Sequence, residues 1–134
     1  MPIPACPVVH FELPYRDATR VSTFYQTVFG WQLQPMGPEM GNYILATTST
    51  CDSNAPDALR GSINGGLYPV VPESPLQQPS VVLGVPDVRE AMARVTSAGG
   101  EVLGEPMAIP GVGDYVVFVD PEGNRLSMLQ PLAG

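Results

Sequence analysis

The chain has 134 residues, 44% of them hydrophobic, enough for one domain with a real core and too few for two independent ones. Its formal charge is −7, and the six basic residues, all Arg, are scattered at positions 16, 20, 60, 89, 94 and 125. No basic patch exists to track phosphates, so nucleic acid is not expected as a partner, and no apolar run approaches the roughly 18 residues of a spanning helix.

The opening MPIPACPVVH has neither a basic region nor an apolar signal core, which predicts a cytoplasmic protein with no membrane partner. Cys6 and Cys51 sit in no CxxC or zinc spacing and are read as free thiols. From Pro7 to Leu13 the residues alternate. Val9, Phe11 and Leu13 fall on one face of a strand, and Val8, His10 and Glu12 on the other. After a turn at Pro14, Asp17 caps a helix in which Val21, Phe24, Tyr25, Val28 and Phe29 recur at helical spacing, and Gly30 ends it. Short extended stretches follow at 31–34, 43–47 and 63–68, separated by Gly, Pro, Asn and Asp.

The segment YPVVPESPLQQPS carries four prolines and reads as an extended connection over 69–79. Beyond it the order begins again. VVLGV is a strand, and Asp87 caps a helix with Glu90 three residues on. Val88, Ala91, Met92 and Val95 form its buried stripe, and Gly99-Gly100 stops it. Extended segments follow at 101–103, 115–119 and 125–129, the last two joined by the turn Asp120-Pro121-Glu122-Gly123-Asn124. The halves align at a constant shift, Asp17 with Asp87, Val21 with Ala91 and Gly30 with Gly100, which reads as a duplication. The expected architecture is a single α+β domain, 1–134, of two tandem βαβββ modules at 7–68 and 80–131.

VVHFELPYRDATRVSTFYQTVFGW resembles the opening signature of the vicinal oxygen chelate superfamily, the group of glyoxalases, bleomycin-resistance proteins and extradiol dioxygenases. The second half, with its Asp-Pro-Glu-Gly-Asn turn, is similar to the closing module of that superfamily, and the likeness covers about Val8 to Pro131. The resemblance implies a cupped mixed sheet around a central cavity, homodimers among relatives, and in metal-dependent members a divalent ion held from the first and last strands of each module. His10 matches the first-strand ligand. Carrying the module shift across, the other ligand positions read Val82, Ser127 and, near NGGLYP, Gly66. With one His in the chain, a facial-triad iron site is excluded by composition. No cofactor is therefore expected; if a Zn, Ni, Mn or Fe ion binds, His10 is its one matching ligand.

His10 and Glu12 project to one face two residues apart, with Cβ atoms ~6–7 Å from each other, and are the candidate catalytic pair. A paired carboxylate would raise the imidazole pKa. Tyr43, Tyr68 and Tyr115, with Val82 and Ser127, are the candidate ligand-binding residues. Core filling is the structural reading of Trp31, Met107 and Met128, and the 120–124 carboxylates are explained as a turn. GSINGG and GVGD lack the spacing of a phosphate loop, and GVGDY reads as a flexible rim before a strand. Three functions compete: binding or sequestration of a small molecule without metal, a glyoxalase-type lyase or isomerase using His10 and Glu12 with or without a weakly held divalent metal, and a structural or regulatory domain that kept the fold after its chemistry decayed.

Overall fold

A computed structural model describes residues 5–48, 62–72 and 77–132. Cys51, Arg60 and the middle of the Pro-rich connection lie outside the described residues. The fold is α+β, with the elements in the order βαβββ twice. The chain divides into two compact units, one of His10–Pro79 and one of Met1–Val9 with Ser80–Gly134. No helix of the described residues is long and apolar enough to cross a membrane.

The first module comprises β1 (Val8–Tyr15), α1 (Ala18–Phe29), β2 (Gln32–Pro35), β3 (Ile44–Thr47) and β4 (Gly65–Pro69). Its strands lie in the order β2-β3-β4-β1, antiparallel except for the β4–β1 pair. Asp17 starts α1 by accepting from the Arg20 N–H at 2.9 Å, and Gly30 ends it in the left-handed region at φ 72°, a conformation that a residue without Cβ adopts most readily. Phe11, Leu13 and Tyr15 from β1 meet Val21, Trp31, Leu33, Ile44, Ala46 and Leu67 in one apolar cluster, so the greasy face of β1 looks toward α1. Strand β1 continues through Pro14 rather than turning there. The Tyr15 carbonyl still accepts from the Val70 N–H at 2.8 Å, so the missing N–H of its neighbour Pro14 is directed away from β4 and costs that ladder nothing.

The second module comprises β5 (Ser80–Gly84), α2 (Val88–Ser97), β6 (Glu101–Ile109), β7 (Gly113–Val119) and β8 (Arg125–Pro131), with strands in the order β5-β8-β7-β6. Val88, Ala91, Met92 and Val95 of α2 pack with Val85, Val116, Phe118 and Met128. The start of the chain joins this unit: Cys6 packs against the same cluster, and the Gly84 N–H donates to the Pro7 carbonyl at 2.8 Å. Asp120 accepts from the backbone N–H groups of Glu122 and Asn124 and from the Asn124 amide, each at 2.9 Å, so its carboxylate builds the turn. These bonds, from Asn124 above all, hold its pKa below the ordinary carboxylate value.

One local expectation changes. Strand β6 runs to Ile109 instead of Leu103, because a register shift between Leu103 and Met107, with Gly104 at φ 94°, carries pairing past the irregularity. GVGDY, expected as a rim before a strand, is an exposed turn that enters β7. Gly113 pairs with both Ile109 and Pro131, and the Val112 N–H donates to the Ile109 carbonyl at 3.0 Å, which makes the segment a tight β6–β7 hairpin.

The consecutive glycines at the start of β4 are required by close approach rather than by backbone angle. A Cβ on Gly65 would stand 2.5 Å from the Phe11 ring, on the face toward α1. Gly65→Ala is therefore expected to lower unfolding stability by about 1–3 kcal/mol through overpacking. Urea titrations of Gly65→Ala, Phe11→Leu and the double variant check this: coupling between the two must recover part of the loss, and additivity would reject the assigned cause.

Candidate functional site

Alternation along β1 that sends Phe11, Leu13 and Tyr15 toward α1 sends His10 and Glu12 to the opposite face. Tyr43, immediately before β3, joins them there. Its hydroxyl donates to Glu12 Oε2 at 3.0 Å and lies 2.9 Å from His10 Nε2. The phenol has one proton, and with that proton on the bond to Glu12 the imidazole must donate from Nε2. The candidate catalytic pair is thus linked through a third residue, as a His10–Tyr43–Glu12 chain. Glu12 is 7% exposed, an uncommon burial for a carboxylate, and the phenol is one of the groups that makes it tolerable.

The imidazole pKa is shifted in the direction opposite to expectation. Burial lowers it below its ordinary 6.5, and the attraction of Glu12, which acts to raise it, is the smaller effect. A half-buried ring loses solvation of its cationic form, and the hydroxyl between it and Glu12 is neutral.

The pairing registers show how Tyr43 reaches this position. Glu12 is the register partner of Gly66, and Gly66 of Leu45. Tyr43 lies two residues before Leu45, on the diagonal, and its ring covers Gly66 so closely that a Cβ there would overlap the phenol carbons and oxygen. The second module repeats the arrangement. Val82 is the register partner of Ser127, and Ser127 of Val117. Tyr115 lies two residues before Val117, and its hydroxyl shares a 2.7 Å hydrogen bond with Ser127 Oγ. Val82 and Ser127 are 2% and 0% exposed. Tyr43 and Tyr115 are therefore equivalent positions of the repeat. The helix caps Asp17 and Asp87 give the offset at the start of each module, which carries Glu12 onto Val82 and His10 onto Ser80. Val82 is thus the counterpart of Glu12, a two-residue correction to the expected match with His10.

A catalytic metal site takes about three protein ligands and an open position. In the first module His10 Nε2 is engaged by Tyr43, Gly66 has no side chain, and the space beside it holds a phenol. In the second, the corresponding positions are Val82 and a Ser127 hydroxyl bonded to Tyr115. Among the described residues no three His, Cys, Asp or Glu side chains converge. These donors do not fit the divalent ion implied by the resemblance.

Of the seven candidate residues, His10, Glu12 and Tyr43 come together in one unit, and Val82, Tyr115 and Ser127 in the other. Tyr68 is engaged elsewhere, its hydroxyl donating to the Gln78 carbonyl at 3.3 Å. Sequence reasoning missed Ser80, whose Oγ is buried without a hydrogen-bond partner among the described residues. The shift of the helix caps was a sufficient signal for it.

A family profile described as "Bleomycin resistance protein-like N-terminal" matches residues 8–49. "Putative glyoxylase CFP32" of Mycobacterium bovis is 36% identical over 69 residues, 52% of this chain; the match spans about a quarter of that relative's length, 26%. A "Glyoxylase-like domain-containing protein" of Didymella fabae is 28% identical over 115 residues, 84% of each chain. Among solved structures, methylmalonyl-CoA epimerase from Mycobacterium tuberculosis superposes with a TM-score of 0.65 at 16% identity, over 94% of this chain and 88% of that one. A glyoxalase/bleomycin resistance protein/dioxygenase superfamily member from Vibrio splendidus 12B01 gives 0.58 at 15% identity, over 94% and 99%. At such identities the superpositions establish a shared fold.

Tyr43→Phe keeps the ring over Gly66 and removes the hydroxyl that Glu12 and His10 share, with an expected loss of about 1–3 kcal/mol in a denaturation experiment. The histidine predicts a pH effect as well. Because the native imidazole is held below 6.5 and the unfolded one is not, the unfolded chain binds more protons in that window. Stability from this group is complete above 6.5 and falls as pH drops toward the native pKa. Urea unfolding from about pH 8 to about pH 5 should show a smaller acid decline in His10→Gln than in the parent; equal declines would count against the assignment.

Proposed function

We propose that this chain, which belongs to the glyoxalase/bleomycin-resistance/dioxygenase superfamily, binds a small molecule without a metal ion on the sheet face bearing His10, Tyr43 and Glu12, and acts by sequestering it. The observation that carries this reading is the position of Tyr43. Its ring fills the space beside Gly66 and its hydroxyl engages both His10 and Glu12, so these groups hold one another in place instead of presenting free lone pairs to an ion. A carboxylate beside a ring that burial keeps neutral gives the face a negative local charge. It favours a ligand that brings a cationic or hydrogen-bond-donating group with an apolar body, in keeping with the acidic chain.

A second reading has its own support. A phenol hydrogen-bonded to an imidazole on one side and a carboxylate on the other is an arrangement that can pass a proton, as a lyase or isomerase requires. In that reading Tyr43 meets the substrate, and His10 and Glu12 set its proton.

Elemental analysis of the purified chain separates the metal-free reading from its rival. Ni, Zn, Mn and Fe are expected far below one equivalent and unchanged by His10→Ala; a stoichiometric ion lost in that variant overturns it. Thermal-shift titration with aromatic amines and matched neutral alcohols then tests binding. The amines should stabilise the parent, and Tyr43→Phe or Glu12→Gln should weaken them about ten-fold. If a glyoxalase or epimerase activity is detected and survives both His10→Ala and Glu12→Ala, the proton-transfer reading fails.

A further inference from the structure

On the other face of the same module, where α1 packs, a second feature stands outside the chemistry described above. An open groove of about 390 Å³ lies between the end of β1 and the first turns of α1, bordered by Tyr15, Arg16, Asp17, Arg20, Phe24 and Tyr25. In a chain of charge −7 with six arginines, two of them stand together here, four residues apart. Neither guanidinium makes an ion pair among the described residues, where Arg89 and Arg94 pair with Glu105 and Glu90. The one carboxylate on the rim, Asp17, has an oxygen turned to the start of the helix, accepting from the Arg20 backbone at 2.9 Å.

The remaining wall is Pro14, Val21 and three aromatic rings. The Tyr15 hydroxyl donates to the Asn42 carbonyl at 2.6 Å. Tyr25 stacks on Trp31 with centroids 4.5 Å apart and planes within 10°, and Phe24 meets Tyr25 edge-on at 5.1 Å. Phe24 is nevertheless 51% exposed, an apolar ring left in water beside two unneutralised cations. The volume lies in the range of small-molecule sites.

We infer that this groove is a second ligand site, for a small anion with an aromatic body: Arg16 and Arg20 hold a carboxylate or phosphate, and the ring lies against Phe24 and Tyr25. Guanidinium forks match both anions, and stacked aromatic surface adds affinity that neither a bare anion nor a neutral ring obtains.

The test is calorimetric titration of the full chain with phenyl phosphate, inorganic phosphate and benzyl alcohol. Trp31, the only tryptophan, reports occupancy through its stack on Tyr25. Phenyl phosphate should bind saturably and change Trp31 emission, with the other two weaker by about ten-fold or more. Arg16→Ala/Arg20→Ala should weaken it by a similar factor and Phe24→Ala by several-fold, and these exposed changes leave the core untouched. His10→Ala should leave this titration as it is, so failure here and failure of the metal-free site are separate results. Absence of saturation, unchanged affinity in the double Arg variant, or inorganic phosphate binding as tightly as the aryl ester would overturn the inference.

Discussion

Two rings lie against one dipeptide. Phe11 covers Gly65 from the side of α1, Tyr43 covers Gly66 from the other, and neither contact leaves room for a Cβ. The first belongs to the apolar cluster that joins α1 to β1, β3 and β4. The second sets the phenol between His10 and Glu12. Because successive strand residues face opposite ways, the core and the polar site of this module are two sides of the same absence of side chains. The glycines cost β4 intrinsic strand propensity, and the two aromatic contacts are what that cost allows.

Much of the two modules was legible because its signals are local. The alternation of VVHFEL, the Asp17 cap, the Gly30 stop and the Asp120–Asn124 turn each lie within a few residues, and each appears in the structure as read. Tyr43 was visible as an aromatic near a strand but not as the group between His10 and Glu12. That role depends on the register of β3 against β4 and of β4 against β1, set by hydrogen bonds between segments tens of residues apart. The end of β6 was hidden for a related reason: Gly104 and Pro106 read as breakers in isolation, while pairing with β7 carries the strand through them.

The direction of the His10 shift shows where two-residue reasoning stops. Spacing on a strand correctly places a carboxylate near the imidazole, and that proximity acts to raise its pKa. The sign of the total is decided by how much solvent the ring loses, which depends on everything packed around it and is invisible in a pair of sequence positions. A neutral donor between the two groups is consistent with the same outcome. The site is therefore polar without being strongly ionic on its histidine side.

The two modules differ in the residues around their tyrosines and agree in the tyrosines themselves. At equivalent places one carries His10, Glu12 and Gly66 and the other Ser80, Val82 and Ser127, while the phenol is kept at both, as Tyr43 and Tyr115. A side chain kept while its neighbours differ in charge, size and polarity is serving something common to both surroundings. In each module the phenol spans a diagonal and reaches with its hydroxyl toward the first or last strand, so it braces the sheet whatever it meets there. The chemical difference between the halves then rests on residues 10 and 12. Where these are ionisable the brace becomes a hydrogen-bonded chain. Where they are Ser and Val it ends on Ser127, and Ser80 keeps a buried hydroxyl with no partner among the described residues. A buried hydroxyl left so carries a desolvation cost that a ligand or water contact would relieve. One bracing device thus supports an ionisable chain in the first module and a neutral polar pair in the second.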